Sequence, residues 1–206
     1  MRNHYYTLYA AGGMVVLFIL QQLVPRMTDV LLLRQDVLFL QPWRLVTSMF
    51  IHGSTTHLLS NLIGLIIFGL VLESTLGSKR AAYYALGLGV FANIFSGFFY
   101  PAALGASGML FGIIGLLVVL RPLAISFAYG MPLPMILAGA AWAIVNIGGL
   151  FIESNTGFIA HLAGLAAGVA AGIYLWKEYG DKKLWKKRDK LVSEEEFSDW
   201  ERKYMR

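Results

Sequence analysis

Gly105-Ala106-Ser107-Gly108-Met109-Leu110-Phe111-Gly112 sets one hydroxyl among small residues at the mouth of an apolar segment, which runs to Leu120 and is closed by Arg121-Pro122. A serine inside an apolar helix is common and usually inert, its hydroxyl bonding back to the preceding turn. Two other apolar stretches change its reading. Residues 157–176 carry His161 near their start, while residues 57–76 begin at His57 and carry Asn61 one helical turn later. Ionisable side chains in such segments are costly to bury and point to function by default.

The composition fixes the setting. Of 206 residues, 57% are hydrophobic and 14% charged, against about 45–50% apolar and 25% charged in soluble domains. The charges are clustered, leaving long stretches with none, so the chain reads as a polytopic, all-α membrane protein. No cysteine is present, which removes disulfides, thiolate metal sites and a cysteine nucleophile. The net charge of +5 is no nucleic-acid footprint, because the basic residues gather at segment ends and in the C-terminal tail, where membrane topology accounts for them.

A spanning helix needs about 20 mostly apolar residues. The stretches that qualify are residues 5–24, 57–76, 81–100, 133–151 and 157–176, with residues 107–120 as a short sixth. Fourteen residues suit a central helix shielded by its neighbours and starting below the membrane surface. The first stretch reads as a retained helix, since Arg2 alone flanks it and no small-residue cleavage site precedes Pro25. Residues 25–56 mix Arg26, Asp29, Arg34, Asp36 and Arg44 with leucines and aromatics; too polar to span, they are expected to lie partly in the interface as short helices. There Pro42-Trp43-Arg44 reads as an anchored turn, either an ordinary interfacial anchor or a specific structural element. Residues 1–176 thus form a six-helix membrane domain. Residues 177–206 form a charged cytoplasmic tail, either solvated and topology-setting or an amphipathic helix on the inner leaflet.

An N-terminus on the inside puts 14 of the 17 Lys and Arg on the inner face, so the positive-inside rule gives N-in, C-in. His57, Ser107 and His161 then share one depth, near the outer ends of the second, fourth and sixth spans.

Those residue types at one depth describe hydrolytic chemistry. A serine hydroxyl needs an adjacent base to become a nucleophile, and His161 can be neutral and take its proton. Gly164, Gly168 and Gly172 follow on the His161 face, and Gly108, Gly112 and Gly115 lie along the fourth span. Small residues so spaced let membrane helices approach closely, as a Ser–His bond requires. His57 and Asn61, at i and i+4, point the same way and can donate to an oxyanion, with the Ser107 N–H at a helix start as a further donor. Phe111 lies one turn beyond Ser107 and could pack on the imidazole. No aspartate sits near His161, so a dyad rather than a triad is expected. His52 and His57 are spaced badly for a metal pair on one helix face, and no His-Glu-x-x-His string is present; no cofactor or metal is expected. The reading is a serine endopeptidase working inside a bilayer.

At these residues the chain resembles the rhomboid intramembrane serine proteases. The resemblance is carried by Gly105-Ala106-Ser107-Gly108, by the string from Phe50 through His52 and His57 to Asn61, by Ala160-His161-Leu162-Ala163-Gly164 with Gly168 beyond, and by Trp43-Arg44. It covers about residues 40 to 170 and implies a six-helix rhomboid fold of the basic prokaryotic type, in the cell (inner) membrane with the site opening outside. It also implies a Ser107–His161 dyad, an oxyanion site of His57, Asn61 and the Ser107 N–H, and Phe111 stacked on the base. His52 and Glu73 match positions of structural role. The fifth span and the loop of residues 151–157 correspond to the family's lateral gate. Partners would be transmembrane substrates entering from lipid, cut in or near their helices. The rival reading is a rhomboid-like pseudoenzyme that binds membrane clients without cleaving them. Such proteins typically lack the serine or the histidine, and this chain keeps both. A transporter is disfavoured, because no repeat halves, intramembrane acidic pairs or matched broken helices are present.

Overall fold

The computed structural model describes residues 5–128, 130–152, 154, 156–179 and 202–203. Arg2 and nearly all of the C-terminal tail fall outside them. Within the described residues the chain is mostly helical: α1 (Tyr6–Leu23), α2 (Met27–Leu31), α3 (Arg44–Thr47), α4 (Thr55–Gly64), α5 (Leu70–Leu76), α6 (Ser78–Phe99), α7 (Ser107–Leu120), α8 (Met135–Gly149) and α9 (Phe158–Tyr179). A π-helical turn at Leu65–Gly69 joins α4 to α5, so that Thr55–Leu76 is one continuous rod.

Among the described residues, four helices are long and apolar enough to cross a membrane: α1, the α4–α5 rod, α6 and α9. Their outer faces carry Val16, Ile63, Phe98 and Ile173, each more than half exposed. An apolar surface that extensive is a lipid-facing one. The two shorter apolar helices, α7 with 14 residues and α8 with 15, measure roughly 20 Å at 1.5 Å per residue, less than the ~30 Å hydrocarbon core.

Helix α7 is the axis of the bundle. It is buried on all sides, with Leu116, Leu117 and Leu120 wholly so, as expected of a helix apolar around its whole circumference. It lies hardest against α9, and glycine is what lets it do so. A β-carbon at Gly168 would stand 2.8 Å from the Leu116 nitrogen and overlap the Gly112 carbonyl; one at Gly172 would stand 2.7 Å from Val119 Cβ.

Two pieces differ from the sequence expectation. The second and third spans, expected as residues 57–76 and 81–100, leave residues 77–80 between them, but only Gly77 turns, at φ +80°, and α6 starts at Ser78 with Lys79 and Arg80 in its first turn. Glycine at this positive φ ends α5 within one residue, leaving the helix free to restart. The fifth span was expected from residue 133, but Met131–Pro134 is a strand. It pairs antiparallel with Ile125–Ala128 around Gly130 at φ +79°, and α8 begins only at Met135. Pro132 and Pro134 cannot donate to a helical ladder in mid-helix.

Residues 25–56 fold into short helices with a two-residue strand, Leu33–Arg34, that pairs with Ala102–Ala103. Arg44 is buried in this segment and donates to the Asp29 and Leu32 carbonyls at 2.7 and 2.6 Å and to Gln41 Oε1. The guanidinium thus knots the loop from within, whereas Trp43 is half exposed beside it.

At the opposite end, the Thr7 N–H and hydroxyl both donate to Glu73 Oε1, at 2.5 and 2.8 Å, tying α1 to α5. The Thr7 amide belongs to the first turn of α1, where no intrahelical acceptor exists. Glu73→Ala strands both buried donors and is expected to lower stability by about 1–3 kcal/mol, read as an earlier thermal unfolding in detergent, with Glu73→Gln recovering part of the loss.

Candidate active site

Ser107 opens α7 from a loop held on two sides. The Gly105 N–H donates to the Ser48 carbonyl at 2.8 Å. Asn93, buried on α6, donates from Nδ2 to the Leu45 carbonyl at 2.8 Å and the Ser48 hydroxyl at 3.0 Å. Gly105 has φ +105°, and a β-carbon there would lie 2.5 Å from the His57 ring. Glycine is therefore required by backbone and neighbour alike. Gly108 faces Ala92, and Gly164 of α9 lies directly over the Gly108 carbonyl, so the small residues around Ser107 are what bring α9 within reach.

His161 stands in the first turn of α9, its N–H donating to the Gly157 carbonyl at 3.0 Å, and the Tyr100 hydroxyl accepts from the neighbouring Ile159 N–H at 3.0 Å. The ring is buried. Its Nε2 is 2.7 Å from Ser107 Oγ, and its Nδ1 is 2.8 Å from Asn146 Oδ1 on α8. Phe111 lies flat against it, centroids 4.4 Å apart and planes at 6°, and Trp142 meets Phe111 edge-on at 5.7 Å.

His57 and Asn61 come from the start of α4, where the Ser54 hydroxyl accepts from the His57 N–H at 3.2 Å and caps the helix. Asn61 is buried and donates one amide hydrogen to the His57 carbonyl at 2.9 Å; Nδ2 carries a second. His52 packs edge-on to His57 at 5.1 Å, and the Gln21 side chain holds its backbone at both N–H and carbonyl. Burial, with a lesser contribution from His57, pushes the His52 imidazole down to about 4, so it is neutral at physiological pH and adds no charge beside the site.

Ser107, His161, His57, Asn61, Phe111 and Trp142 line one cavity of about 450 Å³. A smaller one of about 220 Å³, bordered by Asn93, Ser96 and Tyr100, also reaches Ser107. Of the residues singled out in the sequence, Ser107, His161, His57, Asn61, Phe111, Gly105, Gly108 and Gly164 come together here. Trp43 and Arg44 do not; they belong to the first loop. Asn146 and Trp142 went unremarked in the sequence. The available signal was an amide inside an otherwise apolar helix, which must find a partner when no water can supply one.

The geometry of an Oγ–Nε2 bond facing a cavity with further donors is matched by kinship. Residues 40–178 match the rhomboid domain. The chain is similar to "Putative rhomboid protease YdcA" of Bacillus subtilis, with 34% identity over 61% of this chain and 63% of that protein. It is similar to "Rhomboid-like protease 2" of Toxoplasma gondii, with 30% identity over 74% of this chain and 54% of the other. It also resembles "RHOMBOID-like protein 6, mitochondrial" of Arabidopsis thaliana, with 30% identity over 68% and 48%. The chain therefore spans between about half and two thirds of the length of these relatives. With its long apolar helices and a match over well more than half its length, this integral membrane protein belongs to the rhomboid family.

Proposed function

We propose that this chain is an intramembrane serine endopeptidase that hydrolyses peptide bonds in or near the transmembrane helices of other membrane proteins. The observation that carries the reading is the 2.7 Å contact between Ser107 Oγ and His161 Nε2. A hydroxyl paired with an imidazole that is itself held on its far nitrogen and stacked on one face is organised as a nucleophile and its base.

In this mechanism Ser107 Oγ attacks the scissile carbonyl carbon as its proton passes to His161 Nε2. The carbonyl oxygen becomes an oxyanion that accepts from the Ser107 N–H, the free amide hydrogen of Asn61 and His57. The C–N bond breaks, His161 returns the proton to the leaving amine, and an ester on Ser107 remains. Water, deprotonated by the same imidazole, hydrolyses that ester and regenerates the hydroxyl. The cavity beside Ser107 offers room for the chain, and the smaller one a second approach for water. An intact substrate helix hides its carbonyls in hydrogen bonds, so substrates with helix-breaking residues near the cut are favoured.

The same reading takes α1, the α4–α5 rod, α6, α7, α8 and α9 as six membrane-crossing elements, with both termini inside, the active site toward the extracytoplasmic face and substrate entering laterally beside α8. The shortness of α7 supports a site recessed below the membrane surface. Residues 1–176 are the membrane domain and the tail beyond is cytoplasmic.

The test is cleavage of a single-span substrate containing a Gly-Pro or Gly-Gly break by the purified protein in detergent. The wild type is expected to cut once near the break; a folded protein that cuts none of several such substrates would turn the reading to client binding without cleavage. Within the site, His57→Ala and Asn61→Ala are each expected to lower kcat by about 10²–10³ with KM little changed, because each removes an oxyanion donor. Equal losses in KM instead would make them substrate-binding residues.

A further inference from the structure

We propose that Asn146 is a positioning residue that fixes the tautomer of His161, completing a Ser107–His161–Asn146 relay whose third member sits on α8; the inference rests on the protease reading above. Asn146 is 2% exposed and lies in an apolar helix. Its Nδ2 donates to the Trp142 carbonyl, one turn earlier, at 2.8 Å. That contact settles the amide's orientation, because a carbonyl can only accept; turning the amide over would set two oxygens against each other. Asn146 Oδ1 therefore faces His161 Nδ1 at 2.8 Å. An amide oxygen is also only an acceptor, so Nδ1 must carry the hydrogen. A neutral imidazole has one, which leaves Nε2 bare and aimed at Ser107 Oγ. This is the form in which His161 can take the serine proton; the other tautomer would donate to Oγ and block it.

The placement has a consequence for α8. Ser107 and His161 are on α7 and α9, packed backbone to backbone through Gly108 and Gly164. Asn146 reaches them from a separate helix, seated by Gly139 against Val118 and Gly149 against the Phe158 ring. When α8 shifts outward the acceptor goes with it while the Ser–His pair stays. The base is thus set for catalysis only with α8 home.

The tautomer is read directly from ring-¹⁵N spectra of the full-length, histidine-labelled protein in detergent at neutral pH, with the His161 signals identified by their loss in His161→Gln. The wild type is expected to show Nδ1 protonated and Nε2 bare. Asn146→Leu, with the same branched heavy-atom skeleton but no acceptor, is expected to shift population toward the Nε2–H form and to lower kcat by about 10–100-fold with KM within about twofold. This is milder than the ~10⁴-fold loss on disabling the carboxylate of a catalytic triad, since Phe111 still holds the ring. An Nε2–H form in the wild type overturns the inference whether or not the variant folds. So does Asn146→Leu with wild-type tautomer and wild-type kcat, even at lowered thermal stability, which would make the contact mere packing. A wild type that keeps the Nδ1–H form yet cleaves nothing overturns the protease reading instead and leaves the contact standing.

Discussion

Ser107→Ala is expected to lower kcat by about 10⁴–10⁶ while leaving the fold and KM nearly unchanged. The size follows from what is removed: without Oγ no acyl-enzyme can form, and only the oxyanion donors and binding remain to act on water. Stability should hardly move, because the Ser107 hydroxyl's partner is a histidine that opens on a cavity. His161→Ala should cost about as much, and the double variant little more than either single one, since a nucleophile and its base fail as a unit. The comparison is made by initial rates on one single-span substrate, with each variant shown to be folded by its thermal transition. A sizeable further loss in the double variant would mean that the two residues act independently and that no dyad exists.

The second large effect is on folding. Gly168→Val is expected to destabilise the protein by about 3 kcal/mol or more, at the upper end of overpacking losses, and to take activity with it. The neighbours of a β-carbon at this position are the Gly112 carbonyl and the Leu116 nitrogen of α7. Backbone cannot swing aside as a side-chain end can, so α7 and α9 must part, and with them Ser107 and His161. Gly87→Ala is the control. Nothing lies within 4 Å of a β-carbon there, and helix propensity alone should raise stability by up to about 1 kcal/mol. Thermal unfolding of both in one detergent decides the matter. A Gly168→Val protein as stable and active as the wild type would show that α7 and α9 are not held at backbone distance.

Why some of this was legible in the sequence and some was not comes down to the range of each signal. Glycine at three- and four-residue spacing is a local pattern with one strong physical use between apolar helices, and it points to the approach of α7 and α9 from the sequence alone. Ser107, His57, Asn61 and His161 stood out because polar groups are conspicuous in apolar stretches, and the loop of residues 25–56 because its charges are. Asn146 is as conspicuous as Asn61, but it has no polar companion within its own helix. Only the packing of α8 on α9 supplies its partner, and that is a tertiary fact. Trp142 is of the same kind, an aromatic whose meeting with Phe111 needs both helices in place. The hairpin before α8 was hidden by composition. Ile125, Phe127, Met131 and Leu133 are as apolar as a span, and the alternating Pro132 and Pro134 were the sign that a helix could not yet begin. The Asn93–Ser48–Gly105 chain, which pins the turn before Ser107, links three distant segments and leaves no trace in any one of them.

The measurement that bears most directly on the central claim is covalent labelling of the native protein in detergent with a fluorophosphonate, followed by peptide mass spectrometry. An activated serine reacts and its unactivated neighbours do not. An adduct on Ser107 is expected in the wild type, and its loss in folded His161→Ala. A folded wild type that carries no adduct, or carries it on another serine, would contradict the assignment of Ser107 as a nucleophile activated by His161.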